Sequence, residues 1–130
     1  MKLFIALCGI LTIVAADWSP PTQEEFSKYR EECMKEGKLS EDDAKKISKR
    51  DYPGSKQVNC FIRCVGLKAG TWDDGTGYDL DRVYETFNAN NWEVSKKELK
   101  ECLSHLGDAD ACTQAATITK CFLDRAKKKI

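Results

Sequence analysis

The chain has 130 residues, with 21 basic side chains against 21 acidic ones, one histidine and seven cysteines. That length suits a single domain with one core. Balanced charge provides no field to gather nucleic acid, which excludes nucleic-acid binding as a main function.

The N-terminus reads as a targeting segment. Lys2 supplies the positive start, Leu3 to Val14 the apolar stretch, and Val14-Ala15-Ala16 a small-residue cleavage site. The expected division is a secretory signal peptide over residues 1–16 and one helical domain over residues 17–130. The apolar run is shorter than the roughly 20 residues a membrane span needs. Its removal takes away Cys8 and leaves six cysteines, an even number suited to pairing in an oxidising compartment. It also removes Lys2, so the mature domain carries a net charge of −1. No Asn-x-Ser/Thr site is present.

After Pro20-Pro21, Thr22 and Glu25 form a capping box for a first helix. Phe26, Tyr29 and Cys33 follow at helical spacing, with both aromatics expected in the core, and Gly37 is the expected stop. Ser40 caps a second helix, with Glu41, Asp42 and Asp43 in its first turn. This helix is highly charged and reads as a solvated cover. Asp51-Tyr52-Pro53-Gly54 is a turn. A third helix runs from about Ser55 to Lys68 and carries Cys60 and Cys64, which share one face one turn apart. Such a helix can be stapled to two other segments at once.

Thr71 to Tyr78 reads as a loop. Its Asp73, Asp74, Gly75 and Gly77 invite a calcium reading, but the spacing fails. Counted from Asp73, the sixth position is Tyr78 where an EF-hand needs Gly, and the twelfth is Tyr84 where it needs Glu. Asp79 caps a fourth helix whose Leu80, Val83, Tyr84 and Phe87 form an amphipathic stripe. Ser95 and Glu98 make a second capping box for a fifth helix, with Leu99, Cys102, Leu103 and Leu106 inward and Gly107 at its end. Asp108 is the expected cap of a sixth helix bearing Cys112, Ala115, Ala116, Thr119 and Phe122. A basic tail, Arg125 to Lys129 and then Ile130, follows and is expected to be solvated. Phe122, Leu123 and Ile130 could form a short lid.

Between the six later cysteines lie 26, 3, 37, 9 and 8 residues. Zinc sites present close Cys/His pairs, which this pattern lacks, so disulfides are favoured. Six cysteines allow 15 connectivities, and spacing alone does not choose among them. The run resembles the six-cysteine signature of insect odorant-binding proteins of the pheromone-binding and general odorant-binding type, across nearly the whole mature chain. The resemblance implies the pairs Cys33–Cys64, Cys60–Cys112 and Cys102–Cys121. It implies an all-α fold of about six short helices stapled around an internal apolar cavity. Each bridge would contribute roughly 3–4 kcal/mol in the chain-entropy model. A frame so linked tolerates a cavity that would otherwise cost about 24 cal/mol per Å³.

No catalytic constellation stands out. The chain has no Gly-x-Ser-x-Gly elbow, no His-Glu-x-x-His and no P-loop, and bridging leaves no cysteine nucleophile. The expectation is a carrier rather than an enzyme, without cofactor or metal. It would bind a small hydrophobic molecule reversibly in an internal pocket, after secretion. A membrane receptor is a second candidate partner, and the expected state is a monomer or weak homodimer. Candidate pocket residues are Phe61, Val65, Trp72, Leu80, Val83 and Tyr84, together with Phe87, Trp92, Leu103, Leu106 and Phe122. Trp72 and Trp92 could instead be rim residues, and Tyr84 could offer a hydroxyl to a polar head. His105 reads either as a residue favoured by a helix C-terminus or as a pH sensor. Two other classes stay open: a protein that sequesters amines or lipids, for which Glu85 and Asp81 are available on the fourth helix but lie off its apolar face, and a disulfide-rich interaction protein with a filled core.

Overall fold

A computed structural model of the chain describes residues 18–52, 54–105 and 108–129. The expected signal peptide over residues 1–16, Leu106, Gly107, Ile130 and the side chain of His105 lie outside the described residues. Six helices follow in order: α1 (Gln23–Glu36), α2 (Glu41–Ser48), α3 (Lys56–Ala69), α4 (Leu80–Ala89), α5 (Lys96–Glu101) and α6 (Ala111–Arg125). None of them is long and apolar enough to cross a membrane.

Local sequence sets most helix starts. The Thr22/Glu25 and Ser95/Glu98 capping boxes both form, each side chain bonding the other's backbone amide. Ser40, Ser55 and Asp79 accept from the amide three residues on. The sixth helix starts later than expected. Asp110, not Asp108, is its cap, accepting from the Thr113 amide at 2.9 Å. The Thr113 amide and hydroxyl hold the Asp110 carboxyl below its ordinary range. Two aspartates two positions apart offer alternative starts that pattern alone does not separate.

Helix ends depart further from the pattern. Gly37 stays right-handed at φ −84°, and Lys38 takes the left-handed conformation at φ 51°. The Leu39 amide then bonds the Met34 carbonyl at 3.1 Å, closing a Schellman turn one residue late. The fifth helix keeps its α geometry only to Glu101 and tightens into a 3₁₀ turn over Cys102–His105. There the Ser104 hydroxyl donates to the Glu101 carbonyl at 2.7 Å, competing with the helical ladder.

The stretch expected as a plain loop is a small hairpin. Strands β1 (Trp72–Asp73) and β2 (Gly77–Tyr78) pair antiparallel, with Trp72 opposite Tyr78. Its acids serve internal donors: Asp73 accepts from the Gly75 and Thr76 amides, while Asp74 accepts from the Trp72 indole at 2.8 Å and pairs with Arg63. Asp74's carboxyl is accordingly lowered to about 2, chiefly by the Arg63 hydrogen bond. A second ladder, β3 (Trp92–Glu93) against β4 (Lys127–Lys128), fastens the tail. The lysine side chains there remain exposed, yet the backbone is paired.

The disulfides are Cys33–Cys64, Cys60–Cys112 and Cys102–Cys121, closing separations of 31, 52 and 19 residues. They tie α3 to α1 and to α6, and the 3₁₀ turn to α6. Two cores result. One gathers Cys33, Ile47, Val58, Phe61, Ile62 and Ala116. The other gathers Trp72, Val83, Val94, Leu99, Ile118 and Phe122 with Ala115 and Ala126. Helix α6 serves both through adjacent alanines, which is why small residues sit there.

Gly70 closes α3 at φ 76°, and a Cβ there would stand 2.8 Å from the Trp18 indole nitrogen, which donates to the Ala69 carbonyl. Gly70→Ala is expected to destabilise the fold by about 1–2 kcal/mol, read as a lowered thermal midpoint. Asp74 yields a pH test. Its stabilising pairing is present above its unfolded value of 3.8 and is lost as pH falls toward about 2. Asp74→Ala should therefore unfold at lower urea than the parent at pH 6, with the gap closing through that window. A gap constant with pH would contradict the pairing.

Candidate functional site

A half-open pocket of about 530 Å³ lies along the seam between the two cores. Its size falls in the range of small-molecule sites, about 300–1,000 Å³. Five of the six helices reach it, all but α5. Phe61, Ile62 and Val65 come from one core region, and Val83, Phe87 and Phe122 from the other. Edge-on ring contacts join Phe122 to Tyr78 and Phe87, and Phe87 to Trp92, fixing an aromatic wall.

Most polar groups on this wall are already satisfied. The Tyr78 hydroxyl shares a hydrogen bond with Thr119 at 2.5 Å and lies 3.3 Å from the Ala115 carbonyl. Burial pushes this phenol up to about 12, against a smaller opposing effect of the Thr119 hydrogen bond, so it stays neutral. The Asn90 amide donates to the Pro21 and Thr86 carbonyls. The Thr86 hydroxyl donates to the Arg82 carbonyl. A wall of this kind takes apolar matter without stranding these polar groups.

Six of the residues singled out from the sequence line the pocket: Phe61, Val65, Val83, Phe87, Trp92 and Phe122. Four do not. Trp72 is 5% exposed, neither a wall nor a rim residue, because Gly66 lets its side chain press against α3. Leu80, Tyr84 and Leu103 pack against the second core without lining the pocket. The Tyr84 ring faces the Lys96 ammonium at 5.2 Å instead of a ligand. Leu106 lies outside the described residues.

Sequence reasoning missed the contribution of α1. Phe26, expected in the core, lines the pocket with Arg30 and Met34. Their spacing of four places them on one helical face, a signal present in the sequence but masked by the single buried cysteine of that helix. The turn after α2 adds Arg50 and Tyr52. Leu123 lines the pocket beside Phe122, so part of the expected lid is wall.

A second concavity, about 620 Å³, lies over the Cys33–Cys64 bridge between α1 and α3. It is a surface groove bordered by Glu36, Lys56, Arg63 and Lys68, with Leu67 at 41% exposure. Glu36 stands beside Cys33 and Cys64, but both sulfurs are bridged, so no thiolate is available to a metal there.

The model of the PBP/GOBP family matches residues 15–125. Odorant-binding protein 22 of Aedes aegypti is 30% identical over 123 residues, covering 94% of this chain and 89% of the relative. General odorant-binding protein 99a of Drosophila melanogaster is 28% identical, covering 95% and 89%. Among solved structures, the fatty acid binding protein OBP56a from the oral disk of the blowfly Phormia regina aligns with a TM-score of 0.61 at 27% identity, over 81% of this chain and 94% of that one. The medfly odorant-binding protein CcapOBP22/CcapOBP69a aligns at 0.57 and 26%, over 77% and 86%. With six of its seven cysteines paired as that family's signature implies and a pocket at the seam they frame, this chain belongs to the PBP/GOBP family.

Proposed function

We propose that the protein is a secreted carrier that takes up small hydrophobic ligands reversibly, with no bond made or broken. One observation carries the reading: the two cores part along a seam of about 530 Å³ with an aromatic and aliphatic wall whose own polar groups are largely satisfied. The leader-like residues 1–16 support secretion. Each buried methylene gains about 0.8 kcal/mol, so a ligand of some ten carbons can offset its association cost. Micromolar affinity, about 8 kcal/mol, is the expected scale.

The amine-sequestering alternative needs an inward acid. No Asp or Glu lines the pocket among the described residues, and Asp81 is turned outward to Lys96 at 3.3 Å. The filled-core alternative is disfavoured by the seam itself. The blowfly neighbour is named for fatty acid binding, which places long-chain acids beside volatile odorants as ligands to test.

A neutral apolar fluorescent probe should saturate the oxidised protein at one site per chain, with micromolar affinity. Val65→Trp, which fills the seam, should weaken it by at least about tenfold, the equivalent of one to two buried side-chain contacts. Tyr84→Phe should leave it unchanged, since Tyr84 packs outside the pocket. Unaltered probe binding by Val65→Trp would overturn this placement of the site.

A further inference from the structure

The charged residues lining the pocket are of one sign. Among the described residues they are Arg30, from α1, and Arg50, from the turn after α2, with no acidic residue alongside. No carboxylate among the described residues lies within ion-pair distance of either guanidinium. Arg50 instead lies over the Trp92 ring, 4.3 Å from its centre, and Trp92 is itself wall. Tyr52 lines the same pocket. Burial raises this phenol, and the positive charges of Arg50 and Arg30 act against that rise.

A largely apolar pocket bordered by two exposed, unpaired guanidiniums and a phenol matches one ligand chemistry. The planar guanidinium fork suits a carboxylate, and such charge-assisted hydrogen bonds are the strong kind. An ammonium head would meet like charge instead. A hydroxyl head could bond the phenol but would gain no ionic attraction.

Resting on the carrier reading above, we propose that Arg30 and Arg50 form the head-group end of the pocket and select long-chain carboxylates over alcohols and amines of the same chain. The hydrocarbon lies along the seam between Val65 and Phe122, and the carboxylate sits at the Arg30–Tyr52–Arg50 edge. Seating the head draws the Arg50 guanidinium away from Trp92, so binding is visible in the indole fluorescence. Arg50 stands in the left-handed conformation, φ 61°, at a position where glycine is the relaxed choice. Arg50→Gly therefore removes the charge without straining the backbone.

The test is displacement of a neutral apolar probe at neutral pH by dodecanoic acid, dodecan-1-ol and dodecylamine. It is run on the oxidised parent, on Arg50→Gly and on the double variant Arg30→Gln/Arg50→Gly. In the parent the acid should bind about tenfold tighter than the alcohol, and the amine weakest. In the double variant the acid-to-alcohol ratio should fall to near one, while the alcohol's affinity stays within about twofold. Preserved alcohol binding marks an intact pocket. Equal affinity for acid and alcohol in the parent, or a ratio untouched in the double variant, would overturn the proposal and leave the carrier reading standing. Displacement by none of the three would overturn both.

Discussion

Everything in this fold depends on one helix being fastened on two flanks. Cys60 and Cys64 are one turn apart on α3 and bridge α6 and α1. Helices of 6 to 15 residues do not hold together in water by their own propensity. The staples fix which faces oppose each other, and the third bridge joins the 3₁₀ turn to α6. With chain entropy so reduced, the interior need not close to full density. A seam stays open where a freely folding bundle of this size would have to collapse.

The seam explains why the molecule has two cores rather than one. Val58, at 0% exposure, and Leu99, also 0%, are the centres of separate apolar clusters. Helix α6 divides its small residues between them, and Phe122 reaches from the second cluster into the gap. The hairpin and the tail strand act as braces. Trp72 is locked by Gly66 on one side and by Asp74 on its indole nitrogen, while the β3–β4 ladder holds Trp92 against Phe87. Binding capacity thus comes from the frame, and selectivity from the few side chains that border the gap.

The helices were legible in the sequence because capping chemistry is local. Thr22 with Glu25 and Ser95 with Glu98 announce their helices without reference to the rest of the chain. The disulfide pairing was not legible from spacing and came from family resemblance alone. The pocket was only half legible. An amphipathic stripe such as Leu80, Val83, Tyr84 and Phe87 says which face is buried, but not which of two cores or a gap it meets: Val83 and Phe87 reach the seam, Leu80 and Tyr84 do not. Phe26 was expected in the core, and Arg30 and Met34 escaped notice as wall, because that face runs from half-buried to exposed. Tightening of the fifth helix was hidden for a different reason, since Ser104 acts through a single hydroxyl bond that no periodicity reports.

The central claim is that ligand occupies the seam between the two cores. Intermolecular NOE measurement between an isotope-labelled apolar ligand and the protein's methyl groups tests it most directly. The account predicts contacts to Ile62 and Val65 on one side and to Val83 on the other, in the same complex. Contacts confined to one cluster, to Leu80 and Leu103 away from the pocket lining, or to Leu67 in the surface groove would contradict it.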